Sequence, residues 1–212
     1  MMASNKTPEQ VEKTEAFLRA VWGGEPVTAF LGVKHQSGKF ENVAVASVTD
    51  AIRIAQVHDA EGRDVYFSCA AFKDHSCRKQ WNANVTRGFW LDLDCGADKA
   101  ASGKGYATKK EAWAALRLKC REMGWIEPNW VIDSGNGLHV YWLSDESLTA
   151  ERWKSYADKL KALTHHHGLL VDDNRTADIA SVLRVPGTHN FKDPSKPKLV
   201  QIKRMPEVCH AN

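Results

Sequence analysis

No stretch of the 212 residues approaches the roughly 18 consecutive apolar residues that a membrane span needs, which excludes a helical membrane protein. The N-terminus is polar and lacks a signal-peptide apolar region, so an intracellular, cytoplasmic protein is expected. Cysteine is scarce: Cys69, Cys77, Cys95, Cys120 and Cys209 are odd in number and scattered, which excludes a disulfide framework and reads as reduced thiols. Charge of one sign is also scarce, because a net +3 permits a nucleic-acid partner without arguing for one. No internal repeat is present, and 43% hydrophobic with 26% charged residues is ordinary for a globular chain with a sizeable core.

Helix and strand signals alternate along the chain, which points to an α/β or α+β fold. Thr7-Pro8-Glu9-Gln10 forms a capping box for a helix with Val11, Leu18, Val21 and Trp22 inward. Val27 to Val33 and Phe40 to Ala46 read as a hairpin, Ser47 to Asp50 as the cap of a second helix, and Val65 to Phe72 as one further strand. Lys73 to Arg87 is polar and basic, and Gly96 to Ala107 reads as a mobile loop. A second capping box at Thr108 opens a helix closed by Gly124, and Trp130 to Asp133 with Leu138 to Leu143 flank a second hairpin turn. Thr149 starts another helix, and Leu169 to Val171, Val182 to Val185 and Leu199 to Ile202 read as short strands.

Three stretches carry chemistry. Phe89 to Gly96, F-W-L-D-L-D-C-G, places Asp92 and Asp94 on one face of a strand, where two carboxylates repel unless a cation lies between them. A hard divalent ion with substrate phosphates fits such a pair, and so does an ordinary strand end, so partners are required. Ser134-Gly135-Asn136-Gly137-Leu138-His139 offers a turn whose amides can face an anion, with His139 beside it to donate to a phosphate oxygen. In the third stretch Asp172 can complete a three-carboxylate cage, Arg184 can pair bidentately with a triphosphate, and Lys192 adds a second cation. Pro186-Gly187 supplies the turn that brings Thr188, Asn190 and Lys192 back toward Arg184.

Taken in order, Leu91-Asp92-Leu93-Asp94, Ser134 to His139, and Asp172 followed by Arg184-Val185-Pro186-Gly187-Thr188-His189-Asn190-Phe191-Lys192 resemble the archaeo-eukaryotic primase superfamily, in particular the primase-polymerases of phages and plasmids. The resemblance spans roughly residues 65–202. It implies a two-lobed fold with an RRM-like antiparallel sheet carrying the acids, residues 1–64 in the N-terminal lobe, 65–205 bearing the motifs, and 206–212 a tail. It further implies two Mg2+ or Mn2+ ions on Asp92, Asp94 and Asp172, and an incoming NTP or dNTP on His139 and Arg184, with Ser134 and Lys192 in support. A single-stranded DNA template is the implied partner, and unwinding by a helicase is expected from a partner or from a portion outside this chain. Asp178 is a rival third ligand, or a group that orients Arg184.

Cys69, His75 and Cys77 hint at zinc, but C-x5-H-x-C is not a standard spacing and no fourth ligand is evident. His165-His166-His167 falls at a helix end, where capping is expected. Of the eight tryptophans only Trp81, in the basic stretch, is a candidate for base stacking. Two other function classes remain: a non-catalytic replication-initiation or nucleic-acid-binding module, and a metal-dependent nuclease.

Overall fold

The computed structural model describes residues 7–206, so Cys209 and the tail beyond Pro206 lie outside the described residues. Helix α1 (Pro8–Trp22) opens on the expected reciprocal cap between Thr7 and Gln10. Its buried stripe centres on Phe17, which the sequence reading passed over; Val11 is only half-buried. The Phe17 ring meets Phe67, Trp130 and Tyr141 edge-on at 5.3, 5.2 and 5.1 Å. Truncating such a residue to alanine costs about 3–5 kcal/mol.

Strands β1 (Ala29–Lys34) and β2 (Phe40–Val45) form the expected hairpin, and Ser47 caps α2 (Val48–Ala60). The single strand expected from Val65 to Phe72 is two, β3 (Asp64–Ser68) and β4 (Ala71–Phe72), in different sheets. Ser68 causes the break: its buried hydroxyl accepts from the Phe30 N–H at 3.1 Å and donates to the Ala70 carbonyl at 3.0 Å, taking the place of ladder bonds.

A 3-10 turn (Gln80–Asn82) leads into β5 (Ala83–Asp94), which therefore begins inside the stretch read as a basic connector. After α3 (Ala97–Ala101) and α4 (Lys109–Glu122), β6 (Trp130–Asp133) and β7 (Gly137–Thr149) make the second hairpin. The remaining elements are α5 (Ala150–His166), α6 (Asp173–Thr176), β8 (Val182–Arg184), β9 (His189–Asn190), β10 (Lys198–Leu199) and β11 (Gln201–Arg204). Leu169 to Val171 is extended but is no strand; beside it Asp172 N–H reaches the Asp92 carbonyl at 2.8 Å.

Two large antiparallel sheets result, beside a two-stranded pair of β9 and β10. The first has the order β2-β1-β3-β8, so β3 and β8, both beyond residue 63 in the chain, belong with the N-terminal hairpin; the second has the order β11-β6-β7-β5-β4. One core joins them: Trp90, Tyr141, Trp130 and Ile132 of the second sheet pack with Phe17 and with Phe67 of the first. The other face of the second sheet, with Leu91, Leu93 and Val140, packs with Ala112, Leu116 and Cys120 of α4. The two-residue alternation that sends Trp90 into the shared core sends Asp92 and Asp94, further along the same face, into the cleft between the sheets. Among the described residues no helix is long and apolar enough to cross a membrane.

Candidate active site

The cleft has a volume of about 490 Å³, and its walls include Asp92, Asp94, Ser134, His139, Asp172, Arg184 and Lys192. All seven residues singled out in the sequence are thus brought together. Asp92 and His139 are cross-strand partners in the β5–β7 ladder, with Asp92 Oδ1 and His139 Nε2 3.8 Å apart. Burial, then the Asp94 and Asp172 carboxylates, push the Asp92 carboxyl up to about 7. Burial, then the Arg184 and Arg175 guanidiniums, push His139 down to about 3, so its ring is neutral near pH 7. His139 Nδ1 is buried and has no hydrogen-bond partner among the described residues.

Asp172 is the N-cap of α6, its Oδ1 accepting from the Asn174 N–H at 2.9 Å. Asp178 faces elsewhere, accepting from Gln80 Nε2 at 2.9 Å and from the Ala180 N–H at 3.0 Å, and it is not among the cleft-lining residues. Nor does it orient Arg184. That guanidinium is held by Asp64 at 2.5 Å and lies over the Tyr66 ring at 4.9 Å, and Asp64 also accepts the Phe191 N–H at 2.8 Å. Asp64 therefore fixes Arg184 and the start of the Lys192 segment together.

The turn at residues 134–137 differs from its expected role. Gly135 does take positive φ (+92°), but the Ser134 and Gly135 amides are spent internally on the Gly137 carbonyl and the Asp133 carboxylate. What links this turn to the third stretch is Asn190, whose buried amide donates to the Ser134 carbonyl at 2.7 Å. The run from Gly96 to Ala107, expected as a mobile loop, is a folded turn with α3, tied by Gly96 N–H to Tyr106 carbonyl and Tyr106 N–H to Asp94 carbonyl bonds. It places the Lys99 ammonium 2.5 Å from Asp94 Oδ2.

Sequence reasoning missed Asp64, Tyr66, Lys99 and Arg175, the last also lining the cleft with its Nε 3.9 Å from Asp172 Oδ2. Lys99, near Asp94 in a glycine-rich run, left a faint local signal; Asp64 and Tyr66 left none, because they meet Arg184 only through strand pairing.

As they stand, no three His, Cys, Asp or Glu groups among the described residues converge to hold a metal ion. His75, from the hinted zinc stretch, is bonded to the Val45 carbonyl at 3.0 Å, and Cys69 is buried with its thiol pushed up by that burial. The chemistry of Asp92, Asp94 and Asp172 nonetheless fits a hard divalent cation. They are oxygen donors around one cleft, burial and then the two neighbouring carboxylates raise the Asp92 carboxyl, and a cation, Lys99, already sits on one of them.

Comparison with known structures settles the fold. The primase-polymerase domain of cyanophage S-2L superimposes with a TM-score of 0.65 at 14% identity, covering 94% of this chain and 91% of that one. The fold is that of the archaeo-eukaryotic primase-polymerases. The catalytic domain of primase RepB′, solved with initiator DNA, gives a TM-score of 0.52 at 16% identity over 92% of this chain and 85% of its own. The polymerase domain of Mycobacterium tuberculosis ligase D, solved with DNA, gives 0.50 at 14% identity over 92% and 79%. In sequence, a replication protein of Clostridium perfringens is 27% identical over 136 residues; the match covers 63% of this chain and 31% of that protein. No family model matches the chain.

Proposed function

We propose that this chain is a DNA-dependent nucleotidyltransferase, a primase-polymerase that makes primers on a single-stranded template from NTPs or dNTPs. The observation that carries the reading is the meeting of Asp92, Asp94 and Asp172 with Arg184, Lys192 and His139 in one cleft. Three acids alone suit any metal-dependent hydrolase; the facing cations are what a triphosphate requires.

In this reading Arg184, pre-aimed by Asp64 and Tyr66, and Lys192 hold the triphosphate of the incoming nucleotide. Neutral His139 donates a hydrogen bond to a phosphate oxygen without adding charge, and the amide of Asn190 keeps the Ser134 turn seated beside it. Asp92, Asp94 and Asp172 would hold two Mg2+ or Mn2+ ions, and the chemistry these would supply is activation of the attacking 3′-hydroxyl and neutralisation of charge on the departing pyrophosphate. Asp94 and Asp172 also line a second cleft of about 550 Å³ with Lys99, Lys104 and His165, so the acids stand between two openings. A helicase acting from a partner chain would supply unwinding.

The test is incubation with single-stranded DNA, labelled NTPs or dNTPs and Mg2+ or Mn2+, read on a denaturing gel. Template-dependent products support the reading, whereas shortened strands without synthesis would replace it with nuclease activity.

A further inference from the structure

Residues paired across strands share a face of the sheet. Asn42, Gly32, Tyr66 and Arg184, in register across β2, β1, β3 and β8, therefore form one row on the first sheet. The opposite face, with Leu31, Val33, Val65 and Phe67, is buried in the protein. On the row's own face, the connector after β4 covers the neighbouring Phe30, whose ring meets His75 at 5.9 Å, and stops at Asn42, where Arg78 Nε donates at 2.8 Å.

The row itself stays open. Gly32 leaves room for the Phe40 ring to lie across β1, since a Cβ there would stand 2.4 Å from Phe40 Cζ. So placed, Phe40 is 42% exposed, 6.0 Å from the Tyr66 ring and 5.9 Å from the Arg78 guanidinium. With Arg184 over Tyr66, two adjacent rings are flanked by two guanidiniums along the row: Arg184, Tyr66, Phe40, Arg78. Beyond Arg78 the same connector holds Trp81 65% exposed. Its base is rigid, because buried Asn82 Nδ2 ties the carbonyls of Asp74 and Cys77 at 3.0 and 2.7 Å.

The charges here lack carboxylate partners. Among the described residues Lys34, Lys73, Lys79 and Arg78 form no ion pair, and Arg78 is bonded only to neutral groups, Asn42 and the Ala180 carbonyl. Two acids lie in or beside this stretch, Asp74 and Asp178, each hydrogen-bonded to neutral donors; Asp178 acts on Arg78 through its charge without forming an ion pair, so the cations outnumber the carboxylates. Exposed rings on a rigid base, flanked by unpaired cations, match a polyanion with flat bases.

We propose that this face, with Phe40 and Arg78 as its platform and Trp81 at its rim, is the track on which a single-stranded nucleic acid lies as it enters or leaves the cleft. Bases stack on Phe40 and Trp81, and phosphates meet Arg78, Lys73 and Lys79. Phe40 is itself a wall of the cleft, whereas Arg78 and Trp81 are not among its lining residues, so the row runs from the cleft onto the surface, which suits a strand rather than a single nucleotide. The inference rests on the reading of the cleft as a strand-copying site.

The test is the anisotropy of a labelled oligothymidylate with the full chain, without nucleotide or metal. Trp81→Ala, and separately Phe40→Ala, are expected to weaken binding by about five- to a hundredfold, the loss of one stacked base. Trp81→Phe and Phe40→Tyr, which keep a ring, stay near the wild type and show that folding is intact. Replacing Lys73 and Lys79 together flattens the salt dependence of binding. Unchanged oligothymidylate affinity in both alanine variants overturns the proposal, as does a loss confined to mononucleotide binding. Ring-dependent strand binding in a chain that makes no primers would sustain the track and remove only the polymerase reading.

Discussion

Asp92 and His139 face each other across the β5–β7 ladder, 3.8 Å apart, and the protein drives both toward their neutral forms. The carboxyl is raised to about 7 and the imidazole lowered to about 3, so near neutral pH no full ion pair joins them. Burial that disfavours both charges is costly to a resting protein and useful to a site proposed to take a cation and a triphosphate.

Asp92→Asn is therefore expected to stabilise the metal-free protein while removing synthesis. In the unfolded chain the carboxyl titrates near 3.8, in the folded one near 7, so between these values the folded state keeps a proton that the unfolded state has lost. Wild-type stability then falls as pH rises from 3.8 to 7 and levels off above. Asparagine has no such penalty, so the variant's advantage in Tm grows over that window, toward a ceiling of about 4 kcal/mol at 1.36 kcal/mol per unit. A Tm difference that does not vary with pH contradicts this picture.

Asp172 and Asp178 should separate cleanly. Asp172→Asn is expected to lower synthesis by roughly a hundredfold or more, the scale of losing one preorganised electrostatic group. Asp178→Asn should leave the rate within a few-fold of wild type, because that side chain serves Gln80 and the Ala180 amide outside the cleft. The opposite ranking in steady-state rates would exchange their roles.

Asp64→Asn tests how Arg184 is aimed. Loss of the charged partner to a guanidinium that is only 12% exposed should cost about 1–3 kcal/mol of stability. Nucleotide KM should rise by about tenfold with a smaller change in kcat, because Arg184 is freed to turn away from the triphosphate, a misalignment of about 1.4 kcal/mol. A fall in kcat at unchanged KM would place Asp64 elsewhere in the mechanism.

These residues also mark where the sequence is legible. The order and spacing of Asp92, Asp94, His139, Asp172 and Arg184 were readable, as were the caps at Thr7 and Thr108 and both hairpins, because each is a local pattern. Asp64 and Tyr66 were not, since they reach Arg184 through β3–β8 pairing across some 120 positions. The division of residues 64–72 into two strands hangs on one hydroxyl, Ser68, that reads as an ordinary strand residue. α3 was hidden because the glycine, serine and lysine content of residues 96–107 is that of a connector, whereas its order comes from tertiary bonds through Tyr106.

Lys99→Met addresses the cation already on Asp94. Removing the ammonium should tighten Mn2+ binding, measured directly by electron paramagnetic resonance without substrate, by at most about fivefold, since a pair this exposed is worth no more than about 1 kcal/mol. Weaker Mn2+ binding in the variant would show instead that Lys99 holds Asp94 in its ligating position.

As proposed, the cleft breaks the bond between the α- and β-phosphates of a nucleotide to extend a strand. Pyrophosphate release measured with single-stranded template, NTPs or dNTPs and Mg2+ or Mn2+ reports that bond alone. Template-dependent release is expected from the wild-type chain, and its loss in Asp92→Asn and Asp172→Asn variants that remain folded. Release that persists in both variants, or strand shortening with no pyrophosphate from the wild type, would contradict it.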